Sequence, residues 1–380
     1  MTLAARHALI FATQFAAVGV ILPFLPAVLA GHGLSAEEVA VVLAVGSAVR
    51  LVAGPLGGRI ADSIGNAPVV LAASAAISAL AAAGFLLPAG FVALLVVQAV
   101  HSAAIAPIVP LTDAVAVTAA RGKPGFDYAR VRAAGSIAFI LAALAGGQAV
   151  AVAGTQGAVV LLVLCLAGTA LAALLLPRAA PAAPRAARGW GGFLAPLRIP
   201  AFRRLLAVSA LIQASHALYY AFGTLHWQAA GLGAGLIGAL WATGVVAEVA
   251  LFLWGRGIVA RLGPTGLSVA AALAGVLRWG ITAVTVDPLL LFPAQILHAA
   301  TFGMQHLAAM AVLARVVPPA EAATAQTLHA ALGVGLWMML VTLACGPAYA
   351  ALGGGGFWGM AALCLLAVPA ALALGRALRR

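Results

Sequence analysis

The chain has 380 residues, of which 65% are hydrophobic and 7% charged, with a mean hydropathy of +1.15. A water-facing fold is about half apolar and about a quarter charged, so this composition excludes an ordinary soluble domain and places the chain in a bilayer. The net charge of +12 does not mark a nucleic-acid binder, because the basic residues form no aromatic-interleaved surface segment and fall in short connections between apolar runs.

Taken in chain order, apolar runs bounded by Gly, Pro and charge clusters predict twelve spanning helices. The first six cover residues 8–29, 36–56, 67–87, 91–118, 133–153 and 157–176. The second six cover 201–228, 234–254, 267–285, 289–316, 322–350 and 357–374. Val28, Leu29 and Ala30 resemble a signal-peptide cleavage site, but the run before them is too long for a signal h-region and is read as a span.

Segment 178–199 is rich in Ala, Pro and Arg. It reads as a solvated cytoplasmic linker, with a short surface helix expected around 190–197. It divides the chain into an N-terminal six-helix bundle, 1–177, and a C-terminal one, 200–380. All the Lys and Arg residues except Arg50 and Arg278 lie in alternate connections on one side. By the positive-inside rule both termini are then cytoplasmic. The expected fold is an all-α membrane protein whose two bundles can rock around a central site.

Cys165, Cys345 and Cys364 stand alone in apolar runs and read as packing residues, with neither metal-ligand spacing nor a disulfide framework. The sequence offers no paired catalytic acids, no nucleophile with a base and no metal motif, so neither an enzyme nor a cofactor is expected.

Inside the spans, Glu248 is the one deeply placed acid. A charge at that depth costs about 2.5–3.5 kcal/mol even on the lenient insertion scale, so it requires a partner, water or a proton. It shares a helix face with Trp241 and Gly244. Arg278, which cannot give up its charge, reads as the anchor for a substrate anion, to be answered by Glu248, by a carboxylate or by water. For both residues the alternative is a structural role, as a neutral or paired acid and as its permanent ion-pair partner.

In the tenth span His298 and Gln305 share a face, and His306 is turned roughly 80° from His298. Either imidazole can relay a proton or simply tie helices together. His216, Tyr219 and Tyr220 in the seventh span form a polar-tipped aromatic stripe that suits an aromatic acid; the alternative is an interfacial belt. In the first half Asp113, near the cytoplasmic end of the fourth span, can pair with Arg132 to gate the inner mouth, or the two form a plain interfacial ion pair. Arg50 reads as a snorkelling structural residue.

In the connection after the second span, Gly58, Asp62 and Gly65 stand as Gly-x-x-x-Asp-x-x-Gly. This resembles the signature loop of the major facilitator superfamily, with Asn66 and Ala67 in place of the usual basic residues, and Asp62 is accordingly expected to act with Asp113 and Arg132 in gating. The corresponding stretch of the second half, 255–263, keeps glycines and arginines without the acid. A finer resemblance rests on Asp127-Tyr128-Ala129-Arg130-Val131-Arg132 with Gly135-Ser136-Ile137, on 215–220 and 244–248, on Arg278-Trp279-Gly280, and on Gln295-Ile296-Leu297-His298. These blocks are similar to the phenylpropionate permease family, related to lactose permease and nucleoside/proton symporters.

The resemblance implies proton-coupled uptake of 3-phenylpropionate or a similar aromatic acid across a bacterial inner membrane. In the resulting expectation Glu248, His298 and His306 serve proton coupling, and Arg278, His216, Tyr219, Tyr220, Trp241 and Gln305 bind substrate. The partners are a small molecule, protons and lipid, without nucleic acid, for a protein working as a monomer. Symport of a neutral sugar or nucleoside, and export of hydrophobic compounds, stay open as alternatives.

Overall fold

A computed structural model describes residues 1–120, 126–177 and 194–379, apart from the side chain of Ala320. Among the described residues the chain is helical without strands, and ten helical runs are long and apolar enough to cross a membrane. They are α1 Leu3–Gly31, α2 Ala36–Ile64, α3 Ala67–Leu86, α4 Phe91–Ala120, α5 Tyr128–Leu174, α6 Pro200–Ala229, α7 Ala234–Trp254, α8 Arg256–Val284, α9 Pro288–Val316 and α10 Ala322–Arg379.

The helix starts carry their own chemistry. Ser35 and Glu38 form a reciprocal capping box at α2, with bonds of 3.2 and 2.9 Å. The Asp127 carboxylate accepts from the Ala129 and Arg130 amides at the start of α5, and Asp287 accepts from the Leu289 amide ahead of α9. Large apolar side chains such as Leu80, Val92 and Leu289 stand 70% or more exposed, which suits hydrocarbon and not water.

Two runs are far longer than one crossing. At 1.5 Å per residue the 47 residues of α5 would extend roughly 70 Å, against a hydrocarbon layer of about 30 Å. Its helical angles break at Ala153 and Gly154, and Gly154 takes φ +64°. The 58-residue α10 is interrupted likewise by the turn Gly353–Gly356, with Gly353 at φ +53°.

Helices also reach beyond the apolar runs that announce them. α2 continues to Ile64, so Gly58 and Asp62 occupy its last two turns instead of a connection, and the helix stops only at Gly65, in the left-handed conformation at φ +65°. The stretch 255–263 is largely helical within α8, with a break at Gly263, φ +60°. The polar signature is thus written on helix ends, where a glycine after the last turn costs nothing sterically. Of the expected linker, Ala195–Arg198 is a 3-10 turn and 178–193 lie outside the described residues.

The six positive-φ glycines of the described residues fall into pairs: Gly33 with Gly231 (φ +85° and +86°), Gly65 with Gly263, and Gly154 with Gly353. Members of each pair are separated by nearly the same interval, just under two hundred residues. Left-handed glycines thus punctuate the two halves at matching places, a pattern in keeping with an internal structural repeat.

By contacts the chain forms two compact units, Met1–Pro184 with Trp227–Ala242, and Arg185–His226 with Thr243–Arg380. The first packs Ile10, Leu71, Ala75, Ile108 and Ala173 into an apolar core. The second packs Phe202, Leu205, Val208, Ile212, Ala271, Val312 and Ala371. Small residues set the helix spacing: an ideal Cβ on Gly19 of α1 would lie 2.5 Å from the Phe139 carbonyl oxygen of α5. Gly19→Ala must push these backbones apart, and is expected to cost about 1–3 kcal/mol, read as a lowered unfolding midpoint in detergent. An unchanged midpoint would mean that this contact does not set the spacing.

Candidate functional site

The second unit holds a buried polar cluster contributed by α6, α7, α8 and α9. At its centre is Arg278, 0% exposed. Its Nη1 donates to His298 Nδ1 and to Thr301 Oγ1, both at 3.1 Å, and its Nη2 donates to Gln295 Oε1 at 3.0 Å. The guanidinium carbon lies 4.9 Å from the Tyr219 ring centroid and 4.4 Å from that of Trp279, so aromatic faces answer part of the charge. These bonds use three of the five guanidinium N–H donors. The buried Nε has no hydrogen-bond partner among the described residues.

A guanidinium only donates, and this fixes the protons around it. His298 Nδ1 must accept, so a neutral His298 carries its hydrogen on Nε2, which stands 3.6 Å from Glu248 Oε2. His298 thus links the acid to the arginine. His216 Nδ1 lies 3.1 and 3.2 Å from the Ile212 and Gln213 carbonyls and must donate, leaving Nε2 to accept from the Thr301 hydroxyl at 3.0 Å. Thr301 therefore receives from Arg278 and gives to His216. Behind them the Trp279 indole N–H and the Cys364 thiol both donate to Ser215 Oγ, at 3.0 and 3.2 Å. Tyr220 stacks on His216, and Phe302 stacks on His298.

Glu248, Arg278, His298, His216, Tyr219 and Tyr220, all expected from sequence, thus meet in one unit. Gln305 belongs to a different group of contacts, donating to Ser209 Oγ at 3.0 Å. The assumption of regular 3.6-residue spacing fails between His298 and Gln305, because Ala299–Met304 is a π-turn. His306 is exposed. Trp241 is buried, in the part of α7 that belongs to the first unit.

In the first unit, Arg132 Nε lies 3.5 Å from Asp113 Oδ1, which also accepts from the Tyr128 hydroxyl at 2.9 Å. The Arg132 guanidinium covers Phe15, 4.2 Å from the ring centroid. Asp62 is exposed. Gln14 Oε1 accepts from Thr112, and His101 Nδ1 is 3.0 Å from Ser78 Oγ.

Sequence reasoning did not give Gln295, Thr301 and Ser215 their parts. Gln295, His298 and Thr301 recur every three residues on α9, a polar stripe on one helix face that was available as a signal. Among the described residues no group of three His, Cys, Asp or Glu side chains is placed to hold a metal ion.

Thr301→Val keeps the shape but strands an Arg278 N–H and the His216 Nε2. It is expected to cost about 1–3 kcal/mol for each buried group left unpaired, with Thr301→Ser restoring the parental unfolding midpoint. Equal midpoints for the Val and Ser variants would remove the hydroxyl from the network.

The family model described as MFS_1 like family matches residues 6–359. The Escherichia coli (strain K12) protein named probable 3-phenylpropionic acid transporter is 34% identical over 369 residues, covering 96% of this chain and 95% of the relative. The crystal structure of nucleoside transporter NupG superposes with a TM-score of 0.81 at 19% identity, over 100% of both chains. A bacterial homologue of the human lysosomal transporter Spinster, inward-facing and unoccupied, gives a TM-score of 0.74 at 16% identity over 99% of this chain and 96% of that one. These two structural likenesses carry the fold. The family match and the E. coli relative carry more: the chain belongs to the MFS_1-like family, and is a multi-pass integral membrane transporter with the major facilitator fold.

Proposed function

We propose that the protein takes up a small aromatic carboxylate, of the 3-phenylpropionate type, together with a proton by alternating access. The observation that carries this reading is the Arg278 guanidinium, buried between aromatic rings with its Nε unpartnered among the described residues. Nε lies on the guanidinium edge that a carboxylate grips with two parallel bonds. Tyr219 and Trp279, already against the guanidinium, supply surfaces for an aromatic body. The name of the E. coli relative points to the same substrate class.

Coupling follows from the link through His298. A carboxylate arriving on Arg278 draws the guanidinium away from His298 Nδ1, and the imidazole loses the donor that fixed its tautomer. Glu248, no longer facing a cation through that ring, is an acid in a low-dielectric hollow and takes up a proton. With both charges neutralised the bundles can exchange faces. A monoanion moving with one proton carries no net charge, so the pH gradient is the drive, about tenfold accumulation per pH unit.

The architecture supporting this cycle is two six-helix bundles, 1–177 and 200–380, joined by 178–199, with α5 and α10 each crossing twice by reversal at their glycine breaks. Twelve crossings then leave both termini in the cytoplasm of a bacterial inner membrane, the side chosen by the arginine-bearing connections. Asp113, Arg132 and Asp62 serve as gating residues of the first bundle, and the protein works as a monomer.

Glu248→Gln is expected to retain substrate exchange across proteoliposomes at equal pH while losing accumulation driven by a pH gradient; normal accumulation would end the assignment of the acid. Arg278→Gln should weaken binding of 3-phenylpropionate by roughly tenfold to a hundredfold, as charged hydrogen bonds are lost, and should affect the corresponding amide much less. Equal losses for acid and amide would replace the anchor with a structural role.

A further inference from the structure

A second polar group lies on α6, α9 and α10 of the same unit. On α6, Ser209 lies between Arg204 and His216; on α9, Gln305 lies between Thr301 and Arg315. The group therefore sits between the Arg278 cluster and the arginine-bearing end. Gln305 Nε2 donates to Ser209 Oγ at 3.0 Å, and Ser209 Oγ lies 2.8 Å from His329 Nε2. With its oxygen receiving from Gln305, the Ser209 hydroxyl is free to donate to His329 Nε2, which makes that nitrogen an acceptor. All three residues are at most 8% exposed.

Two further observations separate this group from ordinary helix glue. Gln305 Oε1 is buried with no partner among the described residues, which leaves an open acceptor position beside Ser209. His329 also opens a π-turn, His329–Gly335. The other π-turns of the described residues, Tyr219–Gly223 and Ala299–Met304, carry or adjoin the residues around Arg278. Turns of this type concentrate at functional positions.

We propose that His329 is a proton-carrying residue, the station through which the proton released by Glu248 leaves towards the arginine-bearing end, with Ser209 as relay and Gln305 as a positioning residue. A water held by Gln305 Oε1 gives a proton to Ser209 Oγ as Ser209 gives its own hydroxyl proton to His329 Nε2. The imidazolium then releases its Nδ1 proton to solvent, and the water regains a proton from the Glu248 side. One proton has moved, the water and Ser209 are as they began, and His329 is left with its hydrogen on Nε2, so the ring must exchange tautomers through solvent before it can accept again. The surroundings suit transit: α6 presents Ser209 to the ring, Gly333 of α10 lies beside it with Leu206 on its other side, and the titratable group acting on it from α9 is the exposed His306. Among the described residues no carboxylate lies within ion-pair reach of His329 to hold the proton there.

This inference rests on the proton-coupled reading of Glu248, and the experiment separates the two. Full-length His329→Gln, Ser209→Ala and Glu248→Gln proteins are reconstituted in proteoliposomes with 3-phenylpropionate as the probe. Net uptake under a pH gradient, substrate-driven proton flux and exchange at equal pH are then measured. His329→Gln and Ser209→Ala should slow net uptake and proton flux by about tenfold to a hundredfold, as expected when a positioned proton-transfer group is lost. Exchange, which needs no net proton movement, should keep the parental rate. Equal loss of net uptake and exchange, or unchanged net uptake, overturns the assignment, as does a parental protein that moves no protons. Should Glu248→Gln accumulate the probe normally while His329→Gln loses only net uptake, the acid assignment fails, and His329 stands as a proton carrier supplied by a donor other than Glu248.

Discussion

A guanidinium that cannot surrender its charge, buried entirely within a helical bundle, is the constraint around which the second unit is organised. Arg278 determines where oxygen atoms must lie, on Gln295 and Thr301, and which nitrogen of His298 is protonated. It also recruits aromatic faces, since Tyr219 and Trp279 approach it side by side. Removing charge from water is expensive, and only dense compensation makes it tolerable. Here the recorded compensation is neutral apart from Glu248 beyond His298. The proposed carboxylate would bring a negative charge to this centre.

Much of this was legible in the sequence because a charged residue in an apolar run is a strong signal. Glu248 and Arg278 announce themselves by cost alone, and the stripe of His216, Tyr219 and Tyr220 follows from helical spacing. Thr301, Gln295 and Ser215 were harder, since a hydroxyl or amide in a membrane helix is common and cheap when it can bond its own backbone. From sequence Glu248, a carboxylate or water could each answer Arg278, and the place of His298 between the acid and the arginine is a matter of side-chain reach that spacing does not encode. Gln305 was read as facing the same hollow as His298, a placement that assumes uninterrupted α-helix.

The π-turns explain that difference. Each adds residues to a turn and changes the phase of everything that follows, and all three in the described residues lie in the second unit, on helices that carry its polar groups. Helix limits shifted for a related reason: α2 and α8 extend past their apolar portions because amphipathic ends can protrude into headgroups and water, where polar residues carry no penalty. Hydropathy marks the part of a helix that lipid covers, and a left-handed glycine marks where the backbone turns.

The paired turning glycines have an evolutionary reading. Left-handed glycines at a nearly constant interval are the pattern that tandem duplication of an ancestral segment leaves in a backbone. Shifted by the interval between Gly33 and Gly231, Arg50 of α2 falls on Glu248 of α7. Equivalent places in the two halves thus carry opposite charges, so the repetition of the backbone does not extend to the chemistry placed on it.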